Sequence, residues 1–191
     1  MQLLYKIETV FGKRYATFRV PTALSGDVYM GVSRSNYMND ERSVVVVDAQ
    51  KFLALWRANP YDAQGDVQHG NPNTWKNDRK FESAEDGFSH GSDNPVPLAN
   101  IACDVTESER REYEPFLLIF KRLKRVIPKD LPYIAFTNGI TRSIWLLTYG
   151  AAAFPVEIRT EQAERLQQLA GVPGGQPMTV AELVPEFEAV G

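Results

Sequence analysis

The sequence contains a single cysteine, Cys103, and only two histidines among its 191 residues. One thiol cannot form a disulfide within the chain, and scarce cysteine is typical of proteins in a reducing compartment. Because Cys103 stands near the apolar residues Ile101 and Val105, we expect it to be a small buried hydrophobe. The cysteine content therefore excludes a disulfide scaffold.

Long apolar runs are also absent. Residues Met1 to Glu8 lack the apolar core of a secretory signal peptide. The longest mostly apolar run, Ile144 to Val156, is too short to span a bilayer and contains a glycine and a proline. We therefore expect a cytoplasmic protein that is not an integral membrane protein.

Neither sign of charge dominates, since 21 Lys and Arg against 24 Asp and Glu give a net charge of −3. Any site for DNA or phosphate must therefore be a local patch. The length predicts a single domain over residues 1–170, followed by a linker and a short helix over residues 171–191. Thr179 and Glu182 form a capping-box pattern for that helix, which either folds back on the domain or engages a partner.

The segment over residues 131–158 carries the most information. An apolar run of strand length, 133–136, is broken by Thr137-Asn138-Gly139. A helical pattern follows from Thr141, and Gly150 closes it before a second strand begins at Pro155. This order of strand, glycine turn, helix and strand predicts a parallel βαβ crossover.

The glycine turn is a candidate anion site. Gly139 can take the backbone angles of a tight turn, and the first N–H groups of the following helix are left unpaired at its positive end. Arg142, in the first helical turn, adds a forked and permanently charged group. The pattern is equally typical of a surface salt bridge at Arg142, so the residues alone leave both interpretations open.

The same residues resemble the ParB/sulfiredoxin fold, whose signature is a Gly-x-x-Arg turn after a strand, then a helix, a glycine and a strand opening with Pro-Val. Residues 136–147 together with Asn94-Pro95-Val96-Pro97-Leu98-Ala99 resemble, more narrowly, the plasmid fertility-inhibition factors of the oncogenic-suppression type. The resemblance implies a mixed α/β (α+β) fold, a mixed sheet with flanking helices. It also implies nucleotide phosphates over Asn138, Gly139, Thr141 and Arg142.

Two activities of this superfamily do not fit the sequence. Sulfiredoxins have their catalytic cysteine directly after the turn glycine, where this chain has Ile140, so sulfinic acid repair by that route is excluded. ParB proteins have a more basic turn and a separate helix-turn-helix domain, neither of which is evident here. Relatives with this fold have been linked to ATP hydrolysis and DNA cleavage, so the resemblance admits ATP with magnesium as a cofactor.

The loops before and after a predicted helix over residues 75–88 contain further candidate pocket residues. These loops could converge on the turn at Gly139, and the candidate pocket residues are His69, His90 and Asn94 of the loops together with Lys80 of the helix. Glu82, Glu85 and Asp86 share one side of that helix and are most simply a solvated face. No residue spacing matches a known metal site, and we predict none.

One dense basic cluster stands out near the middle of the chain, at Lys121, Arg122, Lys124 and Arg125. We predict two helices over residues 106–127, the second with Pro115 in its first turn and the apolar residues 116–120 packed inward. The cluster is then either a solvated helix end or a contact with acidic protein, nucleic acid or anionic lipid.

The remaining pattern predicts a β-hairpin over residues 2–20 and a strand buried on both faces at Val44-Val45-Val46-Val47. Asp48 is the predicted N-cap of a helix over 49–58, and Thr160 that of a helix over 160–170. Residues 95–103 read as an edge strand because of their two prolines.

Two functional hypotheses follow. In the first, which the resemblance supplies, the protein is a plasmid-encoded factor that blocks conjugative or T-DNA transfer through a type IV secretion system. It would act on the coupling protein or its relaxase–DNA substrate, at the inner face of the inner membrane. In the alternative, the protein is an enzyme, an ATP-dependent or nucleotide-binding DNase that uses the cradle at Gly139 and Arg142.

Overall fold

The computed structural model of the chain describes residues 3–10, 13–35, 38–61, 64–116 and 120–185. Its strands are β1 (Leu4–Val10), β2 (Lys13–Thr22), β3 (Gly26–Ser33), β4 (Arg42–Asp48), β5 (Val96–Pro97), β6 (Ala99–Val105), β7 (Arg110–Phe116), β8 (Phe120–Ile127), β9 (Pro132–Asn138), β10 (Ala153–Arg159) and β11 (Met178–Thr179). Its helices are α1 (Ala49–Arg57), α2 (Pro72–Trp75), α3 (Phe81–Ser89), α4 (Ile140–Thr148), α5 (Thr160–Ala170) and α6 (Val180–Leu183).

The strands form three sheets, so the predicted mixed α/β class with flanking helices is confirmed. The first has the order β1-β2-β3-β5, the second β11-β4-β10-β6-β9, and β7 pairs only with β8. Both larger sheets are mixed, since β3 pairs in parallel with β5 and β10 in parallel with β6. The hairpin of β1 and β2 is as predicted, although Gly12 of its turn lies outside the described residues.

The predicted parallel crossover is wrong. The predicted order of strand, turn, helix and strand is correct, but β6 lies between β9 and β10 in the sheet. Because β6 runs parallel to β10 and antiparallel to β9, the two strands that flank α4 run in opposite directions. A local sequence pattern shows a strand, a helix and a strand, but not which distant strand lies between them.

The valine strand anchors the core as predicted. Val44 to Val47 are at most 3% exposed, and β4 is paired on both sides by β10 and β11. Asp48 caps α1, because its carboxylate accepts hydrogen bonds from the backbone N–H groups of Gln50 and Lys51. Phe52 and Trp56 of α1 are fully buried against the sheet.

Residues 110–116 and 120–127 are strands and not parts of the two predicted helices. β7 and β8 pair antiparallel as a two-stranded ribbon, with Phe116 opposite Phe120 and Glu114 opposite Arg122. Phe116 and Phe120 are exposed and do not pack inward, whereas residues 117–119 lie outside the described ranges. Cross-strand ion pairs favour the ribbon over a helix.

Three smaller predictions are corrected. The helix predicted over residues 75–88 is two helices, α2 and α3, separated at Asp78, whose carboxylate accepts a hydrogen bond from the Lys80 N–H. The single edge strand predicted over 95–103 is two strands in different sheets. β5 lies at the edge of the first sheet, whereas β6 lies between β10 and β9 in the second. Thr160 does not cap α5, because its hydroxyl instead donates to the Asp40 carbonyl.

The segment after α5 folds back on the domain. Gly171 bridges Val47, and the Val172 N–H donates to the Val46 carbonyl at 3.0 Å. β11 continues along the same edge of β4, and the Thr179 capping box opens α6 as predicted. Within the described ranges, none of the helices is long and apolar enough to cross a membrane.

Candidate functional site

The turn between β9 and α4 depends on glycine for two reasons. Gly139 has φ +93°, a left-handed conformation that disfavours other residues. A Cβ at this position would also lie 2.7 Å from the Ala99 Cα and 2.8 Å from Arg142 Nη2. The predicted tight turn is therefore confirmed, and it packs directly against β6 and the Arg142 guanidinium.

The start of α4 is open to a ligand. No side chain caps the helix, although the Ser143 N–H and hydroxyl both bond to the Gly139 carbonyl, at 3.1 and 3.2 Å. The helix has nine residues, and its first N–H groups carry the partial positive charge of the helix dipole. This end of α4 is electrostatically suited to an anion.

Arg142 is partly buried beside the turn. Its Nη1 donates a hydrogen bond of 2.9 Å to the Pro97 carbonyl, which fixes the guanidinium over Gly139. Burial lowers the pKa of Arg142, and the negative charge of Glu157 raises it in opposition. The simple surface salt bridge considered from the sequence is not what the structure has, since the partner is a carbonyl.

A cavity of about 580 Å³ opens over this turn. It brings together Asn138, Gly139, Thr141 and Arg142 with two of the other candidate pocket residues, Lys80 and Asn94. Its remaining walls come from Ser83, Ala84, Gly87, residues 95–97, Thr137 and Ile140. Two of these lining residues are cations, and the described lining contains no Asp or Glu. The cavity is therefore suited to a negatively charged ligand.

The two histidines do not line this cavity. His69 and His90 are both exposed, and His90 Nδ1 lies 3.3 Å from the Gly87 carbonyl of its own helix. Glu82, Glu85 and Asp86 are exposed as well, and Glu85 accepts a hydrogen bond of 2.6 Å from the Tyr149 hydroxyl. Across the described part of the chain, no group of three or more His, Cys, Asp or Glu could hold a metal ion.

A second cavity, of about 620 Å³, meets the first at Thr137 and contains a carboxylate that sequence reasoning missed. Glu157 has only 14% of its side chain exposed. Arg42 binds it through two hydrogen bonds, of 3.0 and 2.8 Å, and Asn100 donates a third at 3.1 Å. Such a charge pair is held firmly because each partner satisfies the other away from water.

The three residues of this network come from β4, β6 and β10, and more than 50 positions separate each from the next. No spacing rule could have connected them. The available signal was Glu157 itself, a lone acid between Val156 and Ile158 in a predicted strand.

Cys103 is fully buried, as predicted. Burial raises the pKa of its thiol to about 11, which keeps it protonated and unreactive at neutral pH. Gln162 accepts a hydrogen bond from its backbone N–H, and Arg165 donates one to its carbonyl. This residue contributes to packing.

The basic cluster lies on β8, away from both cavities. Arg122 pairs with Glu114, and Arg125 pairs with Glu112 at 2.6 Å while donating to the Pro60 carbonyl at 2.9 Å. Lys121 and Lys124 form no ion pair with the described residues. The solvated helix end considered from the sequence is therefore replaced by an exposed strand.

Three comparisons with known proteins agree. Residues 44–171 match the family described as Plasmid Fertility inhibition factor. The chain is 28% identical over 169 residues to Protein osa of Shigella flexneri, covering 87% of this chain and 73% of that protein. It is also similar to the crystal structure of an oncogenic suppression activity protein, described as a plasmid fertility inhibition factor in a gold(I) cyanide derivative. The TM-score is 0.64 and the identity 25%, over 94% of this chain and 81% of that one.

Proposed function

Because the chain belongs to the plasmid fertility inhibition factor family, we propose that it blocks conjugative and T-DNA transfer through a type IV secretion system. Its target is the coupling protein of that system or the relaxase–DNA substrate delivered to it. Family membership supports the inhibition of transfer. This target also makes the protein cytoplasmic and places it at the inner face of the inner membrane.

The mechanism begins at the cavity over the Gly139 turn, whose described lining contains two cations and no Asp or Glu, and this observation carries the proposal. Its volume of about 580 Å³ is in the range of small-molecule sites, and its polar lining consists of amides, hydroxyls and two cations. These groups fit the phosphates of a nucleotide. The N–H groups at the start of α4 bind phosphate oxygens, and Arg142 and Lys80 neutralise their charge.

ATP with magnesium fits this lining through its phosphates. The described lining supplies no carboxylate, so the phosphates themselves would hold the metal ion. Thr141 and Asn138 provide hydroxyl and amide groups at the cavity wall. The glycine turn, its arginine and the Pro155-Val156 strand also support placing this fold with the ParB/sulfiredoxin superfamily.

An ATP-dependent DNase is the second candidate, and Glu157 is the observation that favours it. The sequence offered a phosphate site with no carboxylate assigned to it, and the adjoining cavity contains the carboxylate of Glu157, held by Arg42 and Asn100. A carboxylate in this position can accept a proton from an attacking water. In this proposal, nucleotide or DNA cleavage is the means by which transfer is blocked.

The test compares the wild type with Arg142→Ala and a matched control, Arg19→Ala. Arg19 lies on the four-stranded sheet, where its exposed side chain pairs with Asp27 of the neighbouring strand. Calorimetric titrations use ATP and CTP, with and without magnesium, and a mating assay measures plasmid transfer. We expect Arg142→Ala to weaken nucleotide binding about tenfold or more, since a charged phosphate contact is lost. Arg19→Ala should bind normally.

The transfer assay separates the two candidates. If Arg142→Ala loses nucleotide binding but still blocks transfer, the enzymatic mechanism is wrong and inhibition depends on protein contacts. If neither nucleotide binds the wild type, the cavity is not a phosphate site.

A further inference from the structure

The β7–β8 ribbon stands apart from the two larger sheets. All residues of β8 except Ile127 are exposed. Its base is fixed to the body, because Ile127 is buried and Arg125 donates to the Pro60 carbonyl. A two-stranded ribbon is only marginally stable in water without further packing, so the attachment at its base contributes to holding it in place.

The end of the ribbon far from its base is apolar. Phe116 and Phe120, the last cross-strand pair, are 49% and 59% exposed. Three pairs nearer the base, Tyr113 and Leu123 are 53% and 47% exposed, on the opposite face of the ribbon because side chains alternate along a strand. The phenylalanine pair at the far end is an exposed apolar feature of the kind that marks an interaction surface.

The positive charge of the ribbon lies directly behind this apolar end. The two strands contain six cations and two carboxylates, a net charge of +4 in a chain whose total is −3. Glu112 and Glu114 already neutralise Arg125 and Arg122, whereas Lys121 and Lys124 form no ion pair within the described residues. An anionic partner is therefore favoured, and a second copy of the same ribbon is disfavoured by repulsion.

Among anionic partners, a lipid surface satisfies both features at once. Phenylalanine side chains bury into the boundary between headgroups and acyl chains, while lysines behind them meet acidic headgroups. Duplex DNA would pair with the lysines but would not require two exposed phenylalanines at the end of the ribbon. Stable attachment to a membrane usually needs two signals, and the ribbon supplies an apolar one and a basic one.

We propose that the β7–β8 ribbon is a membrane-binding arm that inserts Phe116 and Phe120 into the surface of an anionic bilayer. Lys121 and Lys124 bind the acidic headgroups. The arm acts independently of the cavity at Gly139, so its test does not depend on the nucleotide proposal.

The experiment is flotation of the full chain with vesicles of phosphatidylcholine alone or with 30% phosphatidylglycerol, about the mole fraction that gives a strongly negative surface. We expect binding only to the anionic vesicles, weakening as salt is raised. Lys121→Glu with Lys124→Glu should lower the apparent affinity by about 30-fold or more. Phe116→Ser with Phe120→Ser should lower it at every salt concentration.

Matched controls come from exposed residues elsewhere. Leu24→Ser removes an apolar side chain that is 75% exposed, and Lys51→Glu reverses an exposed charge on α1, so both should bind like the wild type. Arg142→Ala should also bind vesicles normally. Circular dichroism of each variant confirms that the fold is retained.

Three results would overturn the proposal. The first is equal binding to neutral and anionic vesicles, and the second is wild-type binding by both double variants. The third is capture of duplex DNA, sensitive to the lysine changes but not to the phenylalanine changes, with no vesicle binding. That last result would make the ribbon a phosphate-binding arm for nucleic acid.

Discussion

The Gly139 turn and the β7–β8 ribbon both present positive charge, but they do so in opposite ways. In the turn, Arg142 is partly buried and fixed by the Pro97 carbonyl, in a lining without described carboxylates. In the ribbon, the cations are exposed and two of the four on β8 are already paired with acids. The turn is thus suited to a small ligand of defined shape, whereas the ribbon is suited to an extended surface.

Glycine substitutions give the largest expected difference in the free energy of unfolding. Gly139→Ala should lower the free energy of unfolding by about 3 kcal/mol, because a left-handed backbone and a contact with the Ala99 Cα both oppose a Cβ. Gly26→Ala, with φ +73° and nothing near its Cβ position, should cost only about 1 kcal/mol. Urea unfolding measures both, and equal losses would mean that the close packing at Ala99 is unimportant.

Breaking an ion pair should change the free energy of unfolding by a smaller amount, and more for a buried pair than for an exposed one. Glu157→Gln leaves Arg42 partly buried without a charged partner and should cost about 2 kcal/mol. Glu114→Gln breaks the exposed pair with Arg122 in the ribbon and should cost less than about 0.5 kcal/mol. Thermal unfolding at two salt concentrations is the measurement. If the stability lost in Glu157→Gln changes strongly with salt concentration, the result would contradict the burial of this pair.

The smallest expected effect is a change in the pKa of the Glu112 carboxyl in the ribbon. The hydrogen bond from Arg125 lowers the pKa of Glu112, so this contact favours the folded ribbon above the ordinary glutamate pKa. The contribution is lost as the pH falls through the lowered value. Carboxyl NMR titration should show the pKa of Glu112 return toward its usual range in Arg125→Gln, and an unchanged value would mean that the pair does not persist in solution.

Local sequence signals predicted the parts of the site that depend on neighbouring residues. The Gly139 turn, the helix after it and the Asp48 cap all follow from residues within a few positions of one another. The Thr179 capping box is of the same kind. In these segments, backbone conformation and side-chain hydrogen bonds are decided by local chemistry, so a pattern is sufficient.

The predictions that were wrong, and the site residue that was missed, depend on contacts between residues far apart in the sequence. Placement of β6 between β9 and β10 reversed the expected direction of the strands around α4. The network around Glu157 joins three strands that no motif connects. The helices predicted over residues 106–127 rest on the order of apolar residues and cations along the chain, whereas Glu112 and Glu114 pair across to β8.

The segment from Gly171 to Thr179 has a consequence for the behaviour of the chain in concentrated solution. A strand of four consecutive valines with an open side is a template for pairing with other molecules. Here that side is occupied by the bridge at Gly171, the Val172 N–H and β11. Removal of the residues after α5 would uncover this edge, so the shortened protein should aggregate even where its remaining core is intact.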